Sequence, residues 1–162
     1  LIAPSARARF VVTLPREPSR IAKALSHHAS ASFTTLTDTQ DAFIHLARRA
    51  RERLVVMTPF IDSAGAAWAS DLFAATSAPQ RELILRDSRQ LEGCGVIGVR
   101  LRDLATSIRD YAFQGENESG VNGLETFHAK IVLADGTAAY VGSANFLYRS
   151  REENLECGFL LD

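Results

Sequence analysis

Several polar residues are closely spaced in the last third of this 162-residue chain. His128 and Lys130 are two residues apart in a run of β-prone residues, and Ser143 and Asn145 are two apart just after a second such run. Side chains at positions i and i+2 of a strand project from the same face of a sheet. The spacing therefore predicts that an imidazole, an ammonium, a hydroxyl and a carboxamide share one surface.

These four side chains are suited to an oxyanion such as a phosphodiester. Lys130 supplies positive charge, Ser143 and Asn145 can donate hydrogen bonds, and His128 can act as a nucleophile or carry a proton. Neither a carboxylate pair nor a Cys/His cluster accompanies them, so the sequence predicts no metal and no cofactor.

An Asp-Gly pair, Asp135-Gly136, separates the two runs of β-prone residues. This pair favours a type I′ turn, whose two central residues both need positive φ angles. We therefore expect residues 126–133 and 137–141 to pair as a hairpin that brings the polar residues together.

The rest of the chain alternates predicted strands with predicted helices. Strands are expected at residues 10–14, 54–58, 82–86 and 96–101, and helices at residues 20–25, 40–51 and 63–76. Residues 114–123 contain three glycines and predict a flexible loop, a candidate lid beside the polar motif. This alternation predicts an α/β fold, a mixed β-sheet flanked by helices on both faces, in a single domain of residues 1–162.

The composition limits the classes of partner. A net charge of -1 disfavours strong non-specific binding of nucleic acid, although a local basic groove stays open. There is no run of about 20 apolar residues that would predict a membrane span. Two cysteines, Cys94 and Cys157, are too few for a disulfide framework, so we expect a reducing compartment and a cytoplasmic protein.

The motif resembles the HKD signature of the phospholipase D superfamily. His128-x-Lys130, four residues, Asp135, six residues and Gly142-Ser143-x-Asn145 match that signature in spacing, and Asn154-x-Glu156 is similar to an element that commonly follows it. Residues 55–60, which end in Thr-Pro-Phe, resemble the family's strand before its first long helix.

The resemblance implies a role for each matched residue. His128 would attack phosphorus and form a phosphohistidine, Lys130 and Asn145 would bind the non-bridging oxygens, and Ser143 would assist them. Glu156 would hydrogen-bond an imidazole and orient it. Asp135 is a further catalytic candidate, for which a purely structural role in the turn is the alternative.

The chain contains one copy of the motif, whereas the double displacement that the resemblance implies needs a second proton carrier. Small single-motif members of the superfamily work as homodimers with two motifs facing across a two-fold axis. We therefore expect a homodimer with a shared active site. The alternative is that the chain is a fragment of a protein whose second motif is missing here.

The substrate is predicted from the residues that follow the motif. Arg149 and Arg151 could contact a nucleic-acid backbone, and Phe146 and Tyr148 could stack on bases. We therefore predict a metal-independent nuclease acting on DNA or RNA, similar to small single-motif proteins of bacterial defence and restriction systems, in which partner proteins are expected. The alternatives are a lipid phosphodiesterase or phosphatidyl transferase, and a catalytically silent module that binds nucleic acid or protein.

Overall fold

The computed structural model describes residues 7–28, 37–116 and 122–162. Within these ranges the elements, in chain order, are β1 (Ala8–Thr13), α1 (Arg20–His28), α2 (Thr39–Arg49), β2 (Arg53–Thr58), α3 (Ser63–Ala75), β3 (Gln80–Leu85), a 3-10 helix (Ser88–Cys94), α4 (Gly95–Leu104), β4 (Ser107–Asp110), β5 (Ala112–Glu116), β6 (Asn122–Thr126), β7 (Lys130–Ala134), β8 (Ala138–Gly142), α5 (Tyr148–Glu152) and β9 (Glu156–Leu161).

Seven of these strands form one sheet in the order β1-β9-β8-β7-β2-β3-β4. The β2, β3 and β4 strands are parallel, whereas the pairings of β7 with β2, β8 with β7, β9 with β8 and β1 with β9 are antiparallel. The β5 and β6 strands form a separate antiparallel hairpin. The predicted α/β fold with a mixed sheet is confirmed.

Helices α2 and α3 begin at capping carboxylates. Asp38 Oδ1 accepts a hydrogen bond from Gln40 N at 2.7 Å, and Asp62 Oδ1 accepts one from Gly65 N at 2.8 Å. These bonds satisfy amide groups that the first helical turn leaves without partners. The helices pack together through Phe43 and Trp68, whose rings are stacked with centroids 4.7 Å apart.

The hydrophobic core lies on one face of the sheet. Alternate strand residues such as Leu54, Val56, Val132 and Tyr140 are buried there against the helices. Right-handed crossovers from β2 to β3 and from β3 to β4 place α3 and α4 on this same face. Helices α2, α3 and α4 therefore all pack on the face that carries the core.

The opposite face of the sheet carries apolar side chains that are partly exposed. Phe10, Phe159 and Val141 are paired across β1, β9 and β8, and they are 41%, 52% and 44% exposed. The same row continues through Ile131 and Met57, which are half-buried. The β5–β6 hairpin lies over the far end of this row, where Met57 shares a cavity with hairpin residues.

Three local predictions are wrong. Residues 96–101 were predicted to form a strand but belong to α4, because Ile97, Leu101 and Leu104 recur at helical spacing and pack against the core. The predicted loop at residues 114–123 includes the ends of β5 and β6, and residues 117–121 lie outside the described ranges. Residues 127–129 are an irregular segment before β7 and not part of that strand.

The predicted hairpin turn is confirmed by its backbone geometry. Asp135 and Gly136 have φ angles of 55° and 72°, the two positive values that a type I′ turn requires. The β7 and β8 strands then pair from Lys130 opposite Gly142 to Ala134 opposite Ala138. Among the described helices, none has the length and apolar character needed to cross a membrane.

Candidate active site

The polar motif lies at the end of the sheet where β2 ends and β7 begins. Because β7 runs antiparallel to β2, the start of β7 lies beside the end of β2, with Ile131 opposite Met57. The register places Lys130 of β7 opposite Gly142 of β8, and Gly142 opposite Gly158 of β9. The motif residues from three strands therefore meet in one short row at this edge.

His128 and Lys130 contact each other directly. The ammonium nitrogen Nζ of Lys130 lies 2.8 Å from Nδ1 and 3.2 Å from Nε2 of the His128 ring, and 2.8 Å from the His128 carbonyl oxygen. The His128 side chain is exposed, and its backbone lies in the irregular segment before β7. The predicted proximity of these two side chains is thus present in the structure, but it comes from an irregular segment that bends onto β7.

Lys130 is buried, with 6% of its surface exposed. This burial lowers the pKa of the Lys130 ammonium below its ordinary value of 10.5, while the negative charge of Glu156 acts in the opposite direction. A desolvated ammonium attracts an oxyanion more strongly than one in water, because the local dielectric constant is lower. Lys130 is therefore suited to bind a phosphate oxygen.

Ser143 and Glu156 form a second part of the site. Ser143 Oγ donates a short hydrogen bond to Glu156 Oε2, and it accepts one from Cys157 N at 3.1 Å. Asn154 Nδ2 donates to Glu156 Oε1 at 3.3 Å. The Glu156 carboxylate thus contacts Ser143 and Asn154, whereas the predicted partner was an imidazole.

Asn145 lies in the loop that follows β8, and hydrogen bonds to β2 and α3 hold this loop in place. Its side-chain oxygen Oδ1 is buried and has no hydrogen-bond partner in the described part of the chain. The loop is fixed to β2 because Phe146 N donates to Thr58 Oγ1 at 3.3 Å, and to α3 because Asp62 N donates to Phe146 O at 3.2 Å. The loop that carries this unpaired oxygen is therefore tied to the end of β2.

Asp135 lies at the wrong end of β7 for catalysis. Five residues of extended strand separate it from Lys130, which corresponds to about 16 Å. Its carboxylate accepts hydrogen bonds from the backbone amides of Arg51, Glu52 and Arg53 at 2.8–2.9 Å. These bonds, that from Arg53 first, lower the pKa of Asp135. The prediction of a catalytic Asp135 is wrong, and its role is to join the turn to the α2–β2 connection.

Phe146 does not face the site. It is 1% exposed and packs in the core, where its ring is stacked on Phe43 at 5.3 Å. The prediction that it stacks on bases is therefore wrong. Tyr148, in contrast, is 49% exposed at the start of α5.

The two arginines that were predicted to bind substrate already have acidic neighbours. Arg149 Nε donates to Glu153 Oε2 at 3.2 Å, and Arg151 Nε lies 3.4 Å from Glu152 Oε1. The structure leaves Arg149 largely exposed, with 74% of its side chain accessible. The guanidinium group of Arg149 is therefore accessible from solvent, and its ion pair with Glu153 is a weak surface pair.

Phe60, which lies near His128, was not included in the predicted site, and the sequence offered Arg86 only as one of several arginines near strand ends that could reach a nucleic-acid groove. The ring of Phe60 meets the His128 ring edge-on at a centroid distance of 6.2 Å, and the Arg86 guanidinium carbon lies 5.9 Å from the centre of the Phe60 ring. Phe60 follows Pro59 immediately after β2, and Arg86 follows β3. Their positions directly after two parallel strands were the available signal, because such strand ends meet at one edge of a sheet.

The described residues contain no group of three or more His, Cys, Asp or Glu side chains that could hold a metal ion. The Lys130 ammonium contacts the His128 ring, and Glu156, which binds Ser143, acts on the charge of Lys130. An imidazole and an ammonium in contact are groups that can attack and bind a phosphate.

Comparisons with known proteins give the family and the fold of the chain. A family model described as "Cardiolipin synthase, PLD-like domain" matches residues 43–162, a range that includes every motif residue. No curated protein matches the chain in sequence.

Three solved structures have a similar fold. NucT from Helicobacter pylori has a TM-score of 0.55 and 16% identity, over 97% of this chain and 86% of that one. The phospholipase D family member Nuc from Salmonella typhimurium has a TM-score of 0.53 and 14% identity, over 98% and 83%. Phosphatidylserine synthase from Haemophilus influenzae Rd KW20 has a TM-score of 0.50 and 12% identity, over 96% and 34%.

Proposed function

The chain belongs to the phospholipase D superfamily of phosphodiesterases, and on that basis we propose that it is a metal-independent nuclease that works through a phosphohistidine. The contact between Lys130 Nζ and the His128 ring carries this proposal. A neutral imidazole has one ring nitrogen without a proton, and that nitrogen can accept a hydrogen bond from the ammonium and has the lone pair that a nucleophile needs. When a substrate phosphate binds the ammonium, this lone pair is free to attack phosphorus.

The reaction proceeds in two displacements. In the first, the His128 nitrogen forms a bond to phosphorus, the bond from phosphorus to the leaving nucleoside oxygen breaks, and a second imidazole gives that oxygen a proton. In the second, water attacks phosphorus and loses a proton to the second imidazole, while the bond from nitrogen to phosphorus breaks. Lys130 and Asn145 stabilise the negative charge on the phosphoryl oxygens in both steps.

We propose that a second copy of the chain supplies the second imidazole. Of the other three histidines, His45 is held 3.4 Å from Asp162, at the opposite end of β9 from Glu156, and His27 and His28 lie on α1. Neither His27 nor His45 contacts His128 among the described interactions. A two-fold axis near His128 would bring the two equivalent rings to opposite sides of one phosphate.

Nucleic acid is the substrate that the surroundings of His128 support best. Next to the His128 ring, Phe60 provides an aromatic ring and Arg86 a positive charge. On α5, the exposed Tyr148 and Arg149 provide a second aromatic ring and a second positive charge. Alternating cations and aromatic rings are typical of surfaces that bind single-stranded nucleic acid.

Both cysteines are free, which supports the proposed reducing compartment and cytoplasmic location. The link to a defence or restriction system stays a prediction.

The decisive experiment measures cleavage of four labelled substrates in the presence of EDTA: single-stranded DNA, double-stranded DNA, RNA and phosphatidylcholine vesicles. We expect cleavage of at least one nucleic acid. We expect His128→Ala to lower that activity on the order of 10³-fold or more, because it removes the nucleophile. The matched control is His45→Ala, a partly exposed histidine that lies at the other end of the sheet.

Three results would contradict the proposal. Cleavage that disappears in EDTA would indicate a metal-dependent reaction. Hydrolysis of the vesicles without cleavage of any nucleic acid would instead favour the second candidate function, a lipid phosphodiesterase or phosphatidyl transferase. Binding of nucleic acid without cleavage of any substrate would favour a silent binding module.

A further inference from the structure

An apolar cavity lies next to His128, between the β5–β6 hairpin and the sheet face opposite the helices. Its volume is about 410 Å³, within the usual range for pockets that bind small organic groups. The sheet contributes Met57 and Ile84 to its walls, and the hairpin region contributes Tyr111, Phe113 and Phe127. The reaction proposed above uses none of these five residues.

The strand register explains how these walls are built. Met57 of β2 and Ile84 of β3 are paired neighbours, so their side chains lie side by side on the same face of the sheet. In the hairpin, Phe113 is opposite Glu125, so these two side chains also share one face, and both line the cavity. Leu124, the next residue, points to the other face of the hairpin.

The aromatic walls of this cavity are unusually exposed. Phe113 is 62% exposed and Tyr111 is 41% exposed, with their ring centroids 6.2 Å apart in an edge-to-face arrangement. Leaving such large apolar rings in water is unfavourable, and exposed apolar patches commonly mark binding sites. The backbone beneath them is ordered by a hydrogen bond of 3.0 Å from Thr126 Oγ1 to Tyr111 O.

The cavity lies close to the proposed reacting atoms. Phe127 lines it and directly precedes His128 in the chain. Arg86 is two residues beyond Ile84, and its guanidinium group lies over the Phe60 ring, which in turn meets the His128 ring. A group attached to a phosphate at His128 could therefore enter the cavity. The positively charged Arg86 lies on the same side of the site.

We propose that this cavity binds a nucleobase next to the cleaved phosphate, and that Arg86 contacts the adjacent phosphate of the same strand. This inference rests on the proposed nuclease function and adds a base-binding subsite to it. A flat ring can stack on Phe113 and Tyr111, and the Glu125 carboxylate at the wall can accept a hydrogen bond from a base amino group. A lipid acyl chain would also contact the aromatic rings, but it has no group that would pair with Glu125 or Arg86.

The test compares two oligonucleotides that differ by one base. One carries a normal base beside the preferred cleavage position, and the other carries an abasic site there. For the unaltered protein we expect kcat/KM to be roughly 5- to 100-fold lower on the abasic oligonucleotide, because base stacking is lost. In Phe113→Ala we expect activity on the normal oligonucleotide to fall by a similar factor, and the difference between the two substrates to shrink.

Leu124→Ala is the matched control, because Leu124 is 49% exposed on the other face of the same hairpin. It should behave like the unaltered protein on both oligonucleotides. Arg86→Ala should weaken binding of both oligonucleotides and reduce the dependence of binding on salt concentration, because one phosphate contact is lost.

The outcomes separate the two proposals. If no nucleic acid is cleaved, the nuclease function fails and the base subsite fails with it. If nucleic acid is cleaved but neither the abasic site nor Phe113→Ala changes the rate, only the base subsite is refuted. If Phe113→Ala lowers hydrolysis of a short-chain phosphatidylcholine and leaves cleavage of nucleic acid unchanged, the cavity is an acyl site and the base subsite is refuted.

Discussion

At the scale of single residues, Lys130 combines two properties that normally oppose each other. It is buried and yet has to keep a positive charge to bind a phosphate oxygen. Burial lowers its pKa, and the neighbouring charge of Glu156 raises it again. Besides binding Ser143, Glu156 therefore partly offsets the effect of burial on the pKa of Lys130.

The activity should accordingly depend on Glu156 at high pH. We expect kcat/KM to fall on the alkaline side with a midpoint below pH 10.5, as Lys130 loses its proton. Glu156→Gln removes the charge that raises the pKa of Lys130, so this midpoint should move to lower pH. The exposed Glu92→Gln is the control, and an alkaline midpoint that is identical in all three proteins would contradict this role.

Asp135 gives a prediction of the opposite kind, a loss of stability without a loss of chemistry. Asp135→Asn should lower the free energy of unfolding by about 1–2 kcal/mol at neutral pH, because bonds from three backbone amides to a charged carboxylate are weakened. Its kcat/KM should stay within about threefold of the unaltered protein, since no reacting group is removed.

The pH dependence of this effect follows from the lowered pKa of Asp135. A carboxylate whose pKa is lower in the folded state than 3.8 stabilises the fold above that pH, and this stabilisation is lost as the pH falls through the folded-state pKa. The difference in stability between the two proteins should therefore shrink below pH 3.8, as measured by denaturant unfolding. The exposed Asp103→Asn should show no such difference.

At the scale of secondary-structure elements, close backbone contacts position the motif. A Cβ atom at Gly65, in the first turn of α3, would overlap the carbonyl group of Phe146. A Cβ atom at Gly142 or Gly158 would overlap the ring or hydroxyl of Tyr140, a buried side chain whose pKa burial raises to about 12. The strand β8, the loop after it and helix α3 can approach one another only because these positions lack side chains.

Gly65→Ala should therefore damage the site through its scaffold. Ala has a higher helix propensity than Gly, which by itself would stabilise α3. The new Cβ atom would overlap backbone atoms that cannot rotate away, so we expect the free energy of unfolding to fall by roughly 1–3 kcal/mol in total. The loop that carries Asn145 should shift, and kcat should fall. Gly93→Ala is the matched control, because a Cβ atom there meets nothing within 4 Å. Equal stabilities and activities of the two variants would contradict this view of the loop.

At the scale of the whole molecule, the proposed mechanism needs two His128 rings for one phosphate. The two faces of the sheet differ, with helices packed on one and half-exposed apolar residues on the other. His128 is exposed at the edge of the sheet that carries the motif. A second copy docked at this edge would complete the site without any change in the fold of the chain.

A mixing experiment tests this arrangement. If unaltered protein and His128→Ala are mixed in equal amounts and allowed to exchange subunits, about one quarter of the dimers contain two His128 rings. The activity should then be about one quarter of that of the unaltered protein at the same total concentration. A value of about one half, or full activity from a species with the mass of a monomer, would refute the shared site.

The sequence by itself determined the features that depend on neighbouring residues. The Asp-Gly pair specified the turn between β7 and β8 and thereby the pairing of these two strands, and the predicted helices at residues 40–51 and 63–76 begin within one residue of α2 and α3. Each depends on local backbone geometry or on the alternation of side chains in a strand, and these follow from residue type and spacing alone.

Only the tertiary structure decided which of several similar residues faces the site. Phe146 is buried on Phe43 while Phe60 is exposed beside His128, and Asp135 binds the α2–β2 connection although the motif spacing includes it. Arg86 lies beside the site, whereas Arg151 is held next to Glu152. Burial and charge pairing depend on segments that are distant in the chain, and their approach is a property of the folded sheet and not of any local pattern.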